Sequence, residues 1–273
     1  LAAEPSRRII NVDSDFGSGL ATRCGPDVVA VSMDQARVDA DLPHLVVRSA
    51  RATAVGFDVT IASSWGEGSF RLPLHGKFNV ANAALVLAFL LGEKVTLEAA
   101  SDALSAVTAP PGRLQRVDVG SGPDVFVDYA HTPVAIESAL RTLRPHCKGA
   151  LWCVFGCGGD RDAGKRPLMG SAVERYADRV VITNDNPRTE DPTQIIDAIL
   201  EGFEARQSAT VIEDRGAAIA WAIDNAATND VVLLAGKGHE NYQHVGEERR
   251  DFSDYGAAAA NLQARSGAGE GGE

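Results

Sequence analysis

The chain has 273 residues, enough for two domains, and 45% of them are hydrophobic, enough to fill a core in each. Its formal net charge of −11 and isoelectric point near 5 exclude a sequence-independent nucleic-acid surface, which needs clustered Lys and Arg. No apolar run approaches the ~20 residues that span a bilayer and no stretch reads as a signal peptide, so a cytoplasmic protein without membrane or nucleic-acid partners is expected. Cys24, Cys147, Cys153 and Cys157 lack paired C-x-x-C spacing, which argues against zinc and for reduced, small apolar side chains.

The first residue is Leu1 rather than Met, and the opening residues read as a helix end running into a strand. The sequence is therefore expected to be the carboxyl-terminal part of something longer. Strands are predicted at 7–12, 27–32, 45–51, 55–63 and 67–74. Apolar and polar residues alternate over 54–74 as in a hairpin, with its turn expected at Gly66-Glu67-Gly68. An Ala/Leu-rich helix follows at 78–92, with Asn79 placed to cap its start and Gly92 to end it. A second helix, 96–107, opens with Thr96. TAPPGR (108–113) then stops both periodicities, and its proline pair marks a domain boundary.

From Leu114 the rhythm becomes strand, loop, helix. Apolar runs at 124–129, 151–156, 179–183 and 230–236 read as buried strands, and helices are predicted at 132–144, 165–177, 192–206, 214–227 and 253–265. Asp214 and Ser253 suit helix N-caps, and Pro192 suits a first turn, where its missing N–H is no loss. This alternation implies a mostly parallel α/β sheet. The small, polar, glycine-rich stretch 266–273 is expected to be disordered.

Four strings leave the carboxyl ends of those strands: VDYAHTP (127–133), GCGGDRDAGKRP (156–167), TNDNPRTEDP (183–192) and AGKGHE (235–240). In an open parallel sheet such loops gather along one edge, where ligands bind. Each has a bland alternative. GDRDAGKR matches G-x-x-x-x-G-K, but Arg166 stands where a phosphate loop needs Ser or Thr, and two aspartates would repel the anion. A loop presenting Arg161 to a carboxylate, or a structural turn, fits better. DNPR (185–188) can offer Arg188 to a carboxylate and Asp185 to an ammonium, or be a capped turn before the helix at 192. GKGHE offers Gly236 and Gly238 for close backbone approach and Glu240 as a second anion, or a flexible loop. Asp128 and His131 share the same edge, although an Asp at a strand end is commonly a turn residue. Capping accounts for Asn79 but not for Asn82, and Arg113 alone would be a solvated surface residue.

Taken together, in order and spacing, these strings resemble the Mur ligase family over residues 1–265. The likeness is to members that add the third amino acid to UDP-N-acetylmuramoyl-L-alanyl-D-glutamate in peptidoglycan synthesis, and DNPR resembles the form that selects meso-2,6-diaminopimelate over lysine. The resemblance implies an α/β fold. Residues 1–109 would be the latter part of a central ATPase domain, and 110–265 a Rossmann-like, mostly parallel carboxyl-terminal ligase domain. It also implies that Asn82 contacts adenine, that Arg113 serves the nucleotide phosphates, that Asp128 binds ribose, and that His131 lies in the same nucleotide-facing loop. For diaminopimelate it implies Arg161, Asp185, Asn186, Arg188, Gly236 and Glu240. ATP would convert a carboxylate into an acyl phosphate that the incoming amine attacks. The phosphate loop, the magnesium ligands and the UDP-sugar domain would precede Leu1, leaving this chain inactive alone and dependent on that amino-terminal region. Two alternatives are a non-catalytic amino-acid or nucleotide-binding module and a Mur-like ligase of the folylpolyglutamate synthetase type.

Overall fold

The computed structural model describes residues 8–38, 42–53 and 55–270. The helix end read before Arg8 lies outside the described residues, as do 271–273. The chain divides into two compact units, Leu1–Thr108 and Ala109–Glu273.

The first unit runs β1 (Arg8–Asn11), α1 (Asp15–Cys24), β2 (Val28–Ser32), β3 (His44–Thr53), β4 (Gly56–Ser63), β5 (Gly66–Leu72), α2 (Lys77–Gly92) and α3 (Leu97–Ser105). Its sheet has the order β1-β2-β3-β4-β5, parallel across the first three strands and antiparallel beyond. The period of two splits β2 between faces. Val29 and Val31 join Leu87 and Leu91 of α2, while Val28 and Ala30 join Ile10 and Ala21 on the opposite side. Thr96 caps α3 through Ala99 N at 3.3 Å.

Two local expectations are corrected here. The hairpin turns at Ser64–Trp65, because the Ser63 hydroxyl donates to Gly66 O at 2.8 Å and accepts from Trp65 N at 3.2 Å. Gly66-Glu67-Gly68 therefore lies within β5. Asn79 is inside α2 and donates to His75 O at 2.8 Å instead of capping. Gly92 ends α2 as expected, with Lys94, at φ +67°, making the left-handed exit.

The second unit runs β6 (Gln115–Arg116), β7 (Asp124–Asp128), α4 (Pro133–Leu143), β8 (Leu151–Phe155), α5 (Lys165–Tyr176), β9 (Arg179–Ile182), α6 (Pro192–Leu200), β10 (Ala209–Val211), α7 (Arg215–Asn225), β11 (Val231–Ala235), β12 (Tyr242–Val245), β13 (Glu248–Asp251) and α8 (Asp254–Glu270). Its main sheet has the order β10-β9-β8-β11-β7-β6, and every strand is parallel to its neighbours except β6. Leu151, Cys153 and Phe155 of β8 pack with Ile136, Met169 and Ile195 on one face. Trp152 and Val154 pack with Ile219, Ala258 and Leu262 on the other. Helices thus cover both faces, which is why these strands read as unbroken apolar runs.

Asp214 and Ser253 accept from Ala217 N and Gly256 N, as N-caps do. The helix predicted to reach residue 206 stops at Leu200, where Gly202 and Phe203 bond back three residues and tighten the end. The stretch predicted as a disordered tail is helical through Glu270, in continuity with α8. Ser266 Oγ helps by donating to Leu262 O at 2.9 Å and accepting from Ser121 N at 2.6 Å. No helix among the described residues is long and apolar enough to cross a membrane.

One buried carboxylate ties β8 to the start of β11. Asp230 accepts from Trp152 Nε1 at 2.9 Å, Ala150 N at 2.8 Å and Ala227 N at 2.9 Å. Burial pushes its carboxyl up, but these bonds outweigh burial and hold it below the usual carboxylate range. Asp230→Ala orphans all three donors and is expected to lower stability by about 3 kcal/mol in urea unfolding. The contribution of Asp230 ionisation is complete above its unfolded pKa of about 3.9, and it is lost as pH falls through the lower folded value.

Candidate functional site

At the carboxyl ends of β8, β9 and β11 the chain leaves the sheet in three loops, 156–164, 183–191 and 236–241. They surround a cleft of about 370 Å³ lined by Arg161, Asp185, Asn186, Arg188, Gly236 and Glu240, with Tyr129, His131, Cys157, Lys165 and Tyr242 among the other lining residues. All six residues expected to meet an amino acid therefore face one cavity.

The loops are laced to each other. Gly159 N donates to Asn186 O at 2.9 Å. Asp160 accepts from Thr189 Oγ1 at 2.8 Å and Thr189 N at 3.2 Å, which draws its carboxyl below the usual range. Asp162 accepts from Gly164 N at 3.0 Å. Glu190 pairs with the buried Arg166 at 2.8 Å and also accepts from Asp160 N. The two aspartates that spoil a phosphate loop are thus occupied in bracing this one. The capping role weighed for DNPR falls instead to Asp191, which accepts from Thr193 N at 2.9 Å at the start of α6. Asp185 and Asn186 are free of that duty.

Charges of both signs line the cleft. Arg161 is exposed and donates to Asp160 O at 3.2 Å. Arg188 donates from Nη1 to Gly159 O at 2.6 Å. Neither guanidinium forms an ion pair with a carboxylate among the described residues. In the same cleft Asp185 and Glu240 meet a fully buried lysine, Lys237, whose Nζ lies 2.9 Å from Asn186 Oδ1, 3.3 Å from Asp185 Oδ1 and 3.5 Å from Glu240 Oε2. Asn186 Nδ2 donates to Glu240 Oε2 at 2.9 Å. Gly236 holds φ +115°, and at Gly238, φ +54°, a Cβ would lie 2.7 Å from Tyr129 Cβ, so the loop seats on β7's exit only with glycine there.

The expected nucleotide residues fall in two places. Arg113, Asp128 and His131 cluster at the exit of β7. Arg113 lies 5.2 Å over the Tyr129 ring, and Asp128 accepts from Leu114 N and Ala130 N at 2.8 Å each. Burial raises the Asp128 carboxyl against those bonds and the nearby Arg113 charge. His131 donates from Nδ1 to Tyr129 O at 2.7 Å, and its carbonyl accepts from Lys165 Nζ at 3.0 Å. Asn82 belongs to the other unit, exposed on α2. Among the described residues no group of three His, Cys, Asp or Glu is placed to hold a metal. Cys157 lines the cleft, but burial pushes its thiol up to about 12, which keeps it un-ionised and inert as a nucleophile near neutral pH.

Residues 112–238 match the family described as Mur ligase, glutamate ligase domain. The chain is 44% identical over 270 residues to a UDP-N-acetylmuramoyl-L-alanyl-D-glutamate–2,6-diaminopimelate ligase of Pseudomonas putida, covering 97% of this chain and 54% of that protein. It is 46% identical over 257 residues to the ligase of the same name from Pseudomonas aeruginosa, covering 94% and 52%. A solved structure of a ligase of that name superposes with a TM-score of 0.76 at 34% identity, covering 94% of this chain and 53% of the other. The chain belongs to the Mur ligase family. It spans about half the length of the curated relatives it matches. A Mycobacterium tuberculosis folylpolyglutamate synthase, at 24% identity and a TM-score of 0.58, shares the fold.

Several residues of this Mur ligase cleft escape sequence reasoning. Lys237 stands inside AGKGHE, directly after a strand whose five residues are all buried. A lysine in that position, between two glycines and three residues before a carboxylate, is the signal that could have been used. Tyr242 and the hairpin β12–β13 have a weaker one. Their only turn marker is Gly246, and the strands are polar and half-exposed or exposed throughout.

Proposed function

We propose that the chain forms the carboxyl-terminal part of a cytoplasmic ATP-dependent ligase that adds meso-diaminopimelate to UDP-N-acetylmuramoyl-L-alanyl-D-glutamate in peptidoglycan synthesis. The observation that carries this is the charge layout of the cleft. Arg161 and Arg188, free of ion pairs among the described residues, stand with Asp185 and Glu240 around one cavity. Guanidinium forks suit a carboxylate, and the two acidic side chains suit an ammonium. An amino acid carrying a second zwitterionic end uses both. The names of the 43–46% identical relatives support the same substrate.

ATP supplies the phosphoryl group that activates the acceptor carboxylate, with magnesium. In this chain Arg113, over the Tyr129 ring and with its charge acting on Asp128, suits the nucleotide phosphates. Asp128, already holding two backbone N–H groups, would accept a ribose hydroxyl with its remaining lone pairs, beside His131. The chain's own contribution is to hold the amine donor and orient the nucleotide, which is a large share of such catalysis. The test uses the full-length ligase that contains this chain, with the UDP-muramoyl dipeptide, ATP and either meso-diaminopimelate or L-lysine. Tripeptide product with diaminopimelate and negligible product with lysine is expected. The 273-residue chain by itself is expected to form none, since phosphoryl transfer depends on metal and backbone positioning of the phosphates. Equal use of lysine, or product from the isolated chain, would overturn the assignment.

A further inference from the structure

Lys237 is fully buried and does not line the cleft, yet it contacts three residues that do: Asp185, Asn186 and Glu240. An ammonium has three N–H donors. Here three acceptors surround it, at 2.9, 3.3 and 3.5 Å, so no donor remains for a ligand.

The consequence falls on Asn186. Its Oδ1 accepts from Lys237 Nζ at 2.9 Å and from His244 N at 2.9 Å, and the backbone donor fixes which end of the amide points that way. Both lone pairs are then occupied. One N–H of Nδ2 goes to Glu240 Oε2, leaving the other N–H as all that Asn186 can offer the cleft. Asn186 therefore presents a donor and belongs with Arg161 and Arg188 on the carboxylate side. The oxygens of Asp185 and Glu240 not taken by Lys237 or Asn186 form the ammonium side.

We propose that Lys237 is the positioning residue of the amino-acid site. Without touching substrate, its saturated ammonium locks the Asn186 amide as a donor and holds Asp185 and Glu240 as neighbouring acceptors for the distal zwitterion. This rests on the proposed substrate of the cleft. A buried cation here also allows two carboxylates to sit side by side near Asn186 without an uncompensated double charge.

The test replaces Lys237 by Met, similar in length and uncharged, in the full-length ligase. KM for meso-diaminopimelate is expected to rise roughly 30-fold or more, as when one partner of a buried hydrogen-bonded charge pair is truncated. The values of kcat at saturation and of KM for ATP should change by about threefold or less. Lys237→Gln, which keeps one N–H for Asn186 Oδ1, should fall between. A purely structural role would instead lower the folded fraction and kcat and leave KM intact; that pattern, or an unchanged KM, overturns the proposal. A second measurement does not depend on the variants folding, and its first readout needs no ligand. In the wild-type 273-residue chain, the Lys237 Nζ protons should exchange slowly enough to be seen by NMR, and the Asn186 side-chain amide should give two widely separated proton shifts. Adding meso-diaminopimelate should move the Asn186 amide and leave the Lys237 ammonium protected. A Lys237 ammonium in fast exchange with water refutes the proposal even if the enzyme uses diaminopimelate. A protected ammonium in an enzyme that ignores diaminopimelate refutes the substrate assignment and keeps the lock.

Discussion

Replacing Arg188 by alanine in the full-length ligase should abolish most activity with meso-diaminopimelate and collapse its preference over lysine, by roughly 10³- to 10⁴-fold in kcat/KM. Diaminopimelate differs from lysine by a carboxylate beside the distal ammonium, so discrimination must be made on that group. Arg188 spends one N–H on Gly159 O, and no carboxylate among the described residues pairs with it. Bound lysine would leave that guanidinium desolvated and unmatched, and a site built to pair a polar group rejects an analogue lacking it. Arg188→Lys should recover little, because an ammonium cannot make the forked pair. Steady-state kinetics with both amino acids decides the matter. Near-normal turnover and selectivity in Arg188→Ala would return DNPR to a structural turn and remove the substrate assignment with it.

The second large effect lies beneath the site. Arg215, at the start of α7, and Asp254, at the start of α8, are both fully buried and pair through two bonds of 2.7 Å. Arg215 also donates to Ala235 O at 2.9 Å and Asn184 O at 3.4 Å, the residues just before Gly236 and Asp185. Arg215→Leu strands a buried carboxylate and should lower unfolding stability by about 3–5 kcal/mol. The paired Arg215→Leu, Asp254→Leu variant removes both charges and should recover most of that loss. Its KM for diaminopimelate should stay raised, because Ala235 O and Asn184 O lose their common tether. Urea unfolding and kinetics on the same three proteins separate the effects; a double variant with wild-type KM would make the pair a matter of stability alone.

Much of this was legible in the chain. Strands such as 151–155 and 231–235 are buried on both faces, so their apolar runs carry the signal without help from tertiary context. The four strings follow from them, because parallel strands must release their loops on one edge. Local chemistry was less readable. Asn79 has the residue type of a cap, but a carbonyl four residues back was available to it, and the helix started earlier. Ser63 closed a turn that the glycines nearby did not need to make. Gly-rich composition at 266–270 suggested disorder, whereas continuity with α8 extends the helix. Lys237 was hidden for a different reason. Its role depends on Asp185 and Asn186, more than fifty residues away, and no local pattern reports a partner at that distance.

Arg188 is one of four non-glycine residues with positive φ among the described residues, at +53°. Such a conformation is uncommon and strained for a long side chain. Its main chain is held there by Arg188 N to His244 O at 3.0 Å and Gly246 N to Arg188 O at 2.6 Å, both from the β12–β13 hairpin, and its side chain adds the Nη1 bond to Gly159 O. The loop's backbone is thus fixed by the ribbon on one side and by the guanidinium's bond to the 156–164 loop on the other. Selectivity and architecture are thus partly separable at this position: a lineage that exchanged the guanidinium for another group, trying a new amino acid in the polymer, would keep the ribbon's main-chain bonds and lose the tie to Gly159 O. Asn or Gly, which tolerate the left-handed region best, would be the cheapest first steps along such a route.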